Sequence, residues 1–310
     1  MKPRITAYLM MFIVSIIWGV AAPVIKFTLH DFPPLIFLSY RFAISSIIAL
    51  IVFSVTKERF SKKGKAVEGM IGYSLLAVPV ALGLLFFGFD KTTSLTGNVL
   101  TAMTPMATVI AGVLLLREHV TGIERTGLTL AFAGTLVIIF GPLWHDGLGT
   151  DTSSLGSLEG NLLVIAAIII DALSALLVKT TLRTGVSASS LTHLSFLIGF
   201  LAILPFALVT HGLPQIMSTI TSAPITAHLG VWYMAILSGT LAYWLRNQAI
   251  KSIEVSEAVV FTYLYPLWAA PLSVYWLGEK ITTPFLLGGS IIAVGVIIAE
   301  HKKRRNKKKR

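Results

Sequence analysis

The sequence predicts an all-α polytopic membrane protein of ten transmembrane helices, arranged as two inverted five-helix repeats. Three observations predict it. Hydrophobic residues make up 55% of the 310 residues and charged residues 13%, where a soluble globular chain carries about 25% charge; the mean hydropathy is +0.82. Ten apolar runs, each close to the roughly 20 residues that cross hydrocarbon, are separated by polar or Gly/Pro stretches. The second half of the chain repeats the first. A soluble enzyme, a disordered chain and a fibrous one are excluded by composition.

The first span, 5–27, follows Lys2 and Arg4. Its apolar region is too long for a signal peptide, although Val20-Ala21-Ala22 has the form of a cleavage site. Ser15, Trp18, Gly19 and Ala22 fall on one face, and Pro23 interrupts the run. The second span, 34–56, carries Arg41 seven residues inside its start, roughly 10 Å at 1.5 Å per residue. Arg41 could snorkel outward, bind a substrate carboxylate or close an outer gate. An architectural role is favoured for it and for Lys26. The third span, 69–89, contains Pro79, and the fourth, 95–116, places Asn98, Thr101, Pro105 and Thr108 on one side. The fifth, 123–144, has a small face of Gly127, Ala131 and Gly134 suited to close packing.

The sixth span, 158–180, holds Asp171 near its middle, with Ala167 and Ser174 on the same face. A charge at that depth costs about 2.5–3.5 kcal/mol on insertion scales, so Asp171 reads as a proton acceptor or as the counter-ion of a cationic or amino group. The plainer alternative is a permanent ion pair with a Lys or Arg of another helix. The seventh span, 188–211, contains Pro205 and a lone His193, read as a packed, hydrogen-bonded residue. The eighth, 227–249, presents Tyr233, Thr240, Tyr243, Trp244 and Asn247; the ninth, 255–277, spaces Phe261, Tyr265 and Trp268 at i, i+4 and i+7, with Pro266 and Pro271 in the same run. These aromatics form either a cavity that grips an amphipathic or cationic solute or ordinary packing and an interface belt. The tenth span, 281–300, carries Gly288 and Gly295. Arg246, Lys251, Glu254 and Glu257 cluster at the junction of the eighth and ninth spans and read as an inner gate or as solvated helix ends.

Charge sets the orientation. Ten spans put both termini on one side, and with that side inside, 21 of the 25 Lys and Arg residues face the cytoplasm. Eight of them lie in the tail after Glu300, so the net charge of +11 speaks of a membrane surface and anionic lipid, and no nucleic-acid partner is expected. The absence of cysteine excludes disulfides and thiolate metal sites.

The repeat is ungapped at an offset of 161 over its later helices, pairing Pro105 with Pro266, Glu118 with Glu279, Gly127 with Gly288 and Gly134 with Gly295. At an offset of 153 the first span aligns with the sixth, placing Lys26 on Lys179 and Trp18 on Asp171. Five helices is an odd number, so the copies have opposite orientations, an arrangement found in secondary transporters with a midplane site between the halves. Residues 1–144 form the first repeat, 145–157 an outer linker, 158–300 the second repeat and 301–310 a basic cytoplasmic tail.

These residues resemble a known family. Ile17-Trp18-Gly19 with Val24-Ile25-Lys26, Tyr40-Arg41-Phe42, and Thr104-Pro105 leading to Leu116-Arg117-Glu118-His119-Val120-Thr121 resemble the motifs of the EamA family of the drug/metabolite transporter superfamily; Tyr265-Pro266 and Leu277-Gly278-Glu279-Lys280-Ile281-Thr282 repeat the last of them. The second copy departs at Asp171, and at Leu197 opposite Arg41. The resemblance implies a ten-helix carrier, often an exporter of amino acids or other small metabolites.

The expected function is therefore secondary transport of amino acids or related amphipathic solutes, outward across the cytoplasmic membrane, by alternating access. Export of cationic drugs or quaternary amines is the alternative. Sugars, nucleotide sugars and other anions are less favoured, because Arg41 is the single deep cation near the outside. A non-transport membrane protein ranks last. H-E-x-x-H, P-loop and G-x-S-x-G motifs are absent from the sequence, so no enzyme, cofactor, metal or ATP coupling is expected. The expected partners are the bilayer, a small solute and, if Asp171 titrates, protons; the expected state is a monomer or weak dimer. Candidate site residues are Asp171, Trp18, Ser174, Asn98, Thr101, Tyr243, Trp244, Tyr265 and Trp268, with Arg41, Pro105, Pro266, Arg246 and Glu257 as gates or hinges.

Overall fold

The computed structural model describes residues 3–56, 64–116, 122–140 and 155–307, and among them it is all-helical with no strand. The helices are α1 (Pro3–Thr28), α2 (Pro34–Thr56) and α3 (Gly64–Lys91), then the short α4 (Ser94–Thr101) and α5 (Thr104–Leu116) and α6 (Gly122–Phe140). They continue with α7 (Leu158–Arg183), α8 (Ala188–Ser222) and α9 (Ile225–Ile250). A single turn, α10 (Val255–Ala258), leads through a 3₁₀ stretch, Val259–Leu264, into α11 (Tyr265–Tyr275), and α12 (Thr283–Lys307) ends the chain. Arg117 to Thr121, Glu118 among them, the linker up to residue 154 and the last three tail residues lie outside the described residues.

Among the described residues six helices are long and apolar enough to cross a membrane: α1, α2, α3, α7, α8 and α9. Their outward faces carry bare apolar side chains; Val209 is 89% exposed, and Leu201 and Phe206 are also exposed. Such a surface aggregates in water and is satisfied by lipid. The chain is a multi-pass membrane protein.

The short helices α4, α5 and α11 are set by breaks with identifiable causes. Pro105 has no N–H to give the Thr101 carbonyl. The chain turns at residues 102–103, and the Thr104 hydroxyl donates to that carbonyl at 2.6 Å instead. What the periodicity reads as one fourth span is thus broken in two. Pro266 is likewise the second residue of α11, after the 3₁₀ stretch. Inside α3 and α9 the backbone widens to π-helix at Leu76–Leu82 and Tyr233–Leu241. In α8, Gly212 takes φ 71° and ψ 152°, outside helical values, and the chain resumes as helix to Ser222. Side-chain caps start α4, α7 and α8, where Thr93, Ser157 and Ser187 accept from the N–H groups of Thr96, Gly160 and Ser190.

The packing comes in matched sets. α2 lies against α8 and α6 against α12; α1 packs on α9 and α11, and α7 on α3, α4 and α5. At the α6–α12 seam a Cβ on Gly134 would stand 2.7 Å from the Gly288 carbonyl oxygen, and one on Gly295 would stand 2.6 Å from that of Gly127. Only glycine permits that approach. Two lysines close helix ends in the same way. The Lys26 ammonium donates to the carbonyls of Phe89 and Asp90, both at 3.0 Å, at the end of α3. That of Lys179 donates to Ile250 at 2.6 Å and Ile253 at 2.8 Å, at the end of α9.

Candidate functional site

A cavity of about 980 Å³, its open mouth included, lies among α1, α2, α3, α4, α7, α9 and the segment leading into α11. Three charged side chains line it: Arg41, Asp171 and Arg246. Arg41 is 1% exposed and packs its guanidinium over the rings of Phe42 and Phe86, at 5.7 and 5.3 Å. Its Nε and Nη1 have no hydrogen-bond acceptor among the described residues. Arg246 is also buried, with Nη2 at 3.9 Å from the Asp171 Oδ2 and its guanidinium 5.9 Å over the Trp18 ring. At that separation the pair is held by charge and not by a hydrogen bond; Arg246 Nη1 has no acceptor among the described residues. The Asp171 side chain remains 34% exposed, so the carboxylate is open to the cavity.

Aromatic and polar walls complete the cavity. The Trp18 indole N–H donates to the Ser238 carbonyl at 2.9 Å, inside the π segment of α9. Its ring meets Tyr243 and Tyr265 edge-on, at 5.1 and 6.5 Å between centroids. Along the broken helix the Thr101 hydroxyl donates to the Asn98 carbonyl and the Asn98 amide to that of Ser94. The Thr101 hydroxyl proton is thereby spent within the helix, while the Asn98 amide keeps its second N–H and its oxygen. Both π segments reach the cavity, through Ala81 and Leu82 and through Met234 and Ser238. π-bulges are enriched at functional sites because they re-aim side chains and free a carbonyl, and Ser238 does the latter.

The structure brings together Asp171, Trp18, Asn98, Thr101, Tyr243, Tyr265, Arg41 and Arg246. It places Ser174, Trp244 and Trp268 outside the lining. Ser174 donates back to the Asp171 carbonyl at 2.8 Å, and Trp244 packs on the main hydrophobic core. Trp268 lies where a Cβ on Gly19 would meet it at 2.7 Å, and its N–H donates to Ser15. Pro105 and Pro266 shape the breaks without lining the cavity. The expected inner-gate cluster divides. Arg246, long enough to reach back from near the end of α9, turns into the cavity, whereas Glu257 accepts from Arg4 at 2.9 Å and from Tyr8 at 3.2 Å. Arg246 is therefore a second deep cation, which removes the objection to anions that rested on Arg41 alone. Glu279 caps α4, its carboxylate accepting from the N–H groups of Ser94 and Leu95. His193 packs edge-on against Phe53.

The periodicity did not single out Phe86, Phe89, Met234, Ser238 or Thr262, which also line the cavity. Thr104, beside Pro105, was the legible one, since a hydroxyl next to a helix-breaking proline is the natural donor for the freed carbonyl.

A helical multi-pass bundle around a solute-sized cavity, with broken and bulged helices in its walls, is the build of a membrane transporter. The chain belongs to the EamA-like transporter family, whose profile matches residues 5–140 and again 158–299. The uncharacterized transporter YetK of Bacillus subtilis (strain 168) is 28% identical over 98% of this chain and 89% of its own length. The probable amino-acid metabolite efflux pump of Escherichia coli (strain K12) is 24% identical over 92% of each chain. A solved crystal structure superposes on 96% of this chain and 97% of its own with a TM-score of 0.64 at 15% identity, a likeness of fold alone.

Proposed function

We propose that the chain is a secondary carrier that moves small amphipathic metabolites related to amino acids out across the cytoplasmic membrane by alternating access. The observation that carries this reading is the cavity whose charged lining, Arg41 on α2, Asp171 on α7 and Arg246 on α9, is drawn from both halves of the chain. Rocking one half against the other exposes such a site to each side in turn.

Ten spans in two inverted five-helix halves give this motion its frame. The reciprocal glycine contacts of α6 and α12, the lysine caps of α3 and α9 and the matched prolines of α5 and α11 support that arrangement. The distribution of basic residues supports cytoplasmic termini. The similar Escherichia coli protein, named a probable amino-acid metabolite efflux pump, supports the direction and the solute class. One chain encloses the cavity, so a monomer suffices for transport. Asp171, open to the cavity, is the group that can take a proton during the cycle. Two arginines in the lining weigh against cationic drugs.

The test is counterflow in proteoliposomes preloaded with a panel of amino acids and their derivatives, for wild type and Asp171→Asn. Saturable exchange that loses its pH dependence in the variant is expected. Flux that rises linearly with solute and shows no counterflow overturns the carrier reading.

A further inference from the structure

The charges of the cavity do not balance. Asp171 answers Arg246 across 3.9 Å, and no carboxylate among the lining residues answers Arg41. Arg41 cannot shed its proton, is 1% exposed, and keeps Nε and Nη1 without an acceptor among the described residues. The Phe42 and Phe86 rings attract the cation but offer no lone pairs to its N–H groups. A buried guanidinium left in this state is strongly unfavourable, and the cavity beside it is where compensation can come from.

We propose that the cavity takes a singly charged organic anion with an apolar body, whose carboxylate is received by the Arg41 guanidinium. This rests on the carrier reading above and specifies its solute. A carboxylate matches the edges of a planar guanidinium that include Nη2, where two N–H groups run parallel. A monoanion brings the charge of the lining to zero. A zwitterionic amino acid leaves it at one positive charge and sets an ammonium against Arg246 for the single carboxylate of Asp171. An organic cation raises it to two. Ile25, Leu82, Leu85, Phe86 and Phe89 make one stretch of the wall apolar, so the body of the solute is aliphatic or aromatic. The class is a monocarboxylate without a free ammonium group, such as an amino-acid derivative whose amino group has been removed or acylated. A membrane potential negative inside drives such a solute outward without any coupled ion.

Four probes with a common phenyl body separate the charge states: 3-phenylpropanoate and N-acetylphenylalanine as monoanions, phenylalanine as zwitterion and phenethylamine as cation. Each is titrated against the full chain in detergent by its shift of the thermal unfolding midpoint, then tested for counterflow in proteoliposomes. The monoanions are expected to bind at least tenfold more tightly than the other two. Arg41→Gln is expected to weaken them by about tenfold or more, the range of a charge-assisted hydrogen bond. Asp171→Asn, which adds one net positive charge, is expected to tighten them. Opposite shifts from two lining variants do not arise from misfolding, and Asp171→Asn serves alone if Arg41→Gln does not fold. Tighter binding of phenylalanine or phenethylamine, no binding of any probe at millimolar concentration, or unaltered monoanion binding in a folded Arg41→Gln overturns the proposal. Counterflow of phenylalanine without the monoanions overturns it and leaves the carrier standing. Binding of the monoanions in the expected order without counterflow supports the site and removes the carrier reading.

Discussion

Gly134→Ala tests whether the α6–α12 seam is held by backbone contact. The added Cβ would stand 2.7 Å from the Gly288 carbonyl oxygen and 2.8 Å from the Ile292 amide nitrogen, where ordinary contact begins at 3.4 Å. Both obstacles are backbone, so no rotamer change relieves them and the helices must separate by about 0.7 Å. Overpacking of this kind costs about 1–3 kcal/mol. Alanine also recovers up to about 1 kcal/mol of helix propensity over glycine, so the net loss is about 0–2 kcal/mol. Gly72→Ala supplies the control. The nearest atom to its Cβ is Leu177 Cδ1 at 3.8 Å, so it gains the propensity without the clash. The difference between the two variants is then the overpacking alone. Unfolding by SDS in mixed micelles, followed by tryptophan fluorescence, should move the two midpoints in opposite directions. Gly134→Ala combined with Gly288→Ala, which share one contact, should lose less than the sum of the single effects. Equal shifts of the same sign for Gly134→Ala and Gly72→Ala would refute the seam as described.

Lys26→Met and Lys179→Met each strip two charge-assisted bonds from a helix end, and each should lose about 1.5–3 kcal/mol in the same unfolding assay. Pro105→Ala restores the N–H that the Thr101 carbonyl lacks and lets α4 run into α5; solute binding should persist while the counterflow rate falls about tenfold or more, as expected if the break is a working hinge. Arg4→Gln opens an ion pair whose arginine side chain is 62% exposed, so its effect on stability should be far smaller than those of the lysine variants and shrink further in salt.

The helices were legible because apolar length and punctuation by Gly and Pro decide where a chain can cross lipid. Their interruptions were only half legible. Pro105 announces a disturbance, but whether the helix bends or breaks depends on who serves the Thr101 carbonyl, and that is the Thr104 hydroxyl. The π segment at Tyr233–Leu241 contains no proline and leaves no mark in the pattern. Arg246 was legible only as a residue near a helix end, because linear position does not show that its side chain extends back toward Asp171 and Trp18. The stripe Tyr265–Trp268 failed differently. Residues three apart diverge enough that Tyr265 faces the cavity while Trp268 fills the groove at Gly19.

Duplicated and unduplicated positions divide the labour. The residues that recur at matching offsets, Pro105 with Pro266, Gly134 with Gly295 and Lys26 with Lys179, break helices, join them and close their ends. The charged residues of the cavity do not recur. Asp171 corresponds to Trp18, and Arg246 to Leu85, and all four face the cavity. Arg246 touches both members of the first pair, at 3.9 Å from Asp171 and 5.9 Å over Trp18. A fully symmetric lining would bind the same group twice, in opposed poses. Here the frame is shared between the halves and the charges are not, so under the proposed function a solute held between Arg41 and the Asp171–Arg246 pair would have its orientation set by that asymmetry.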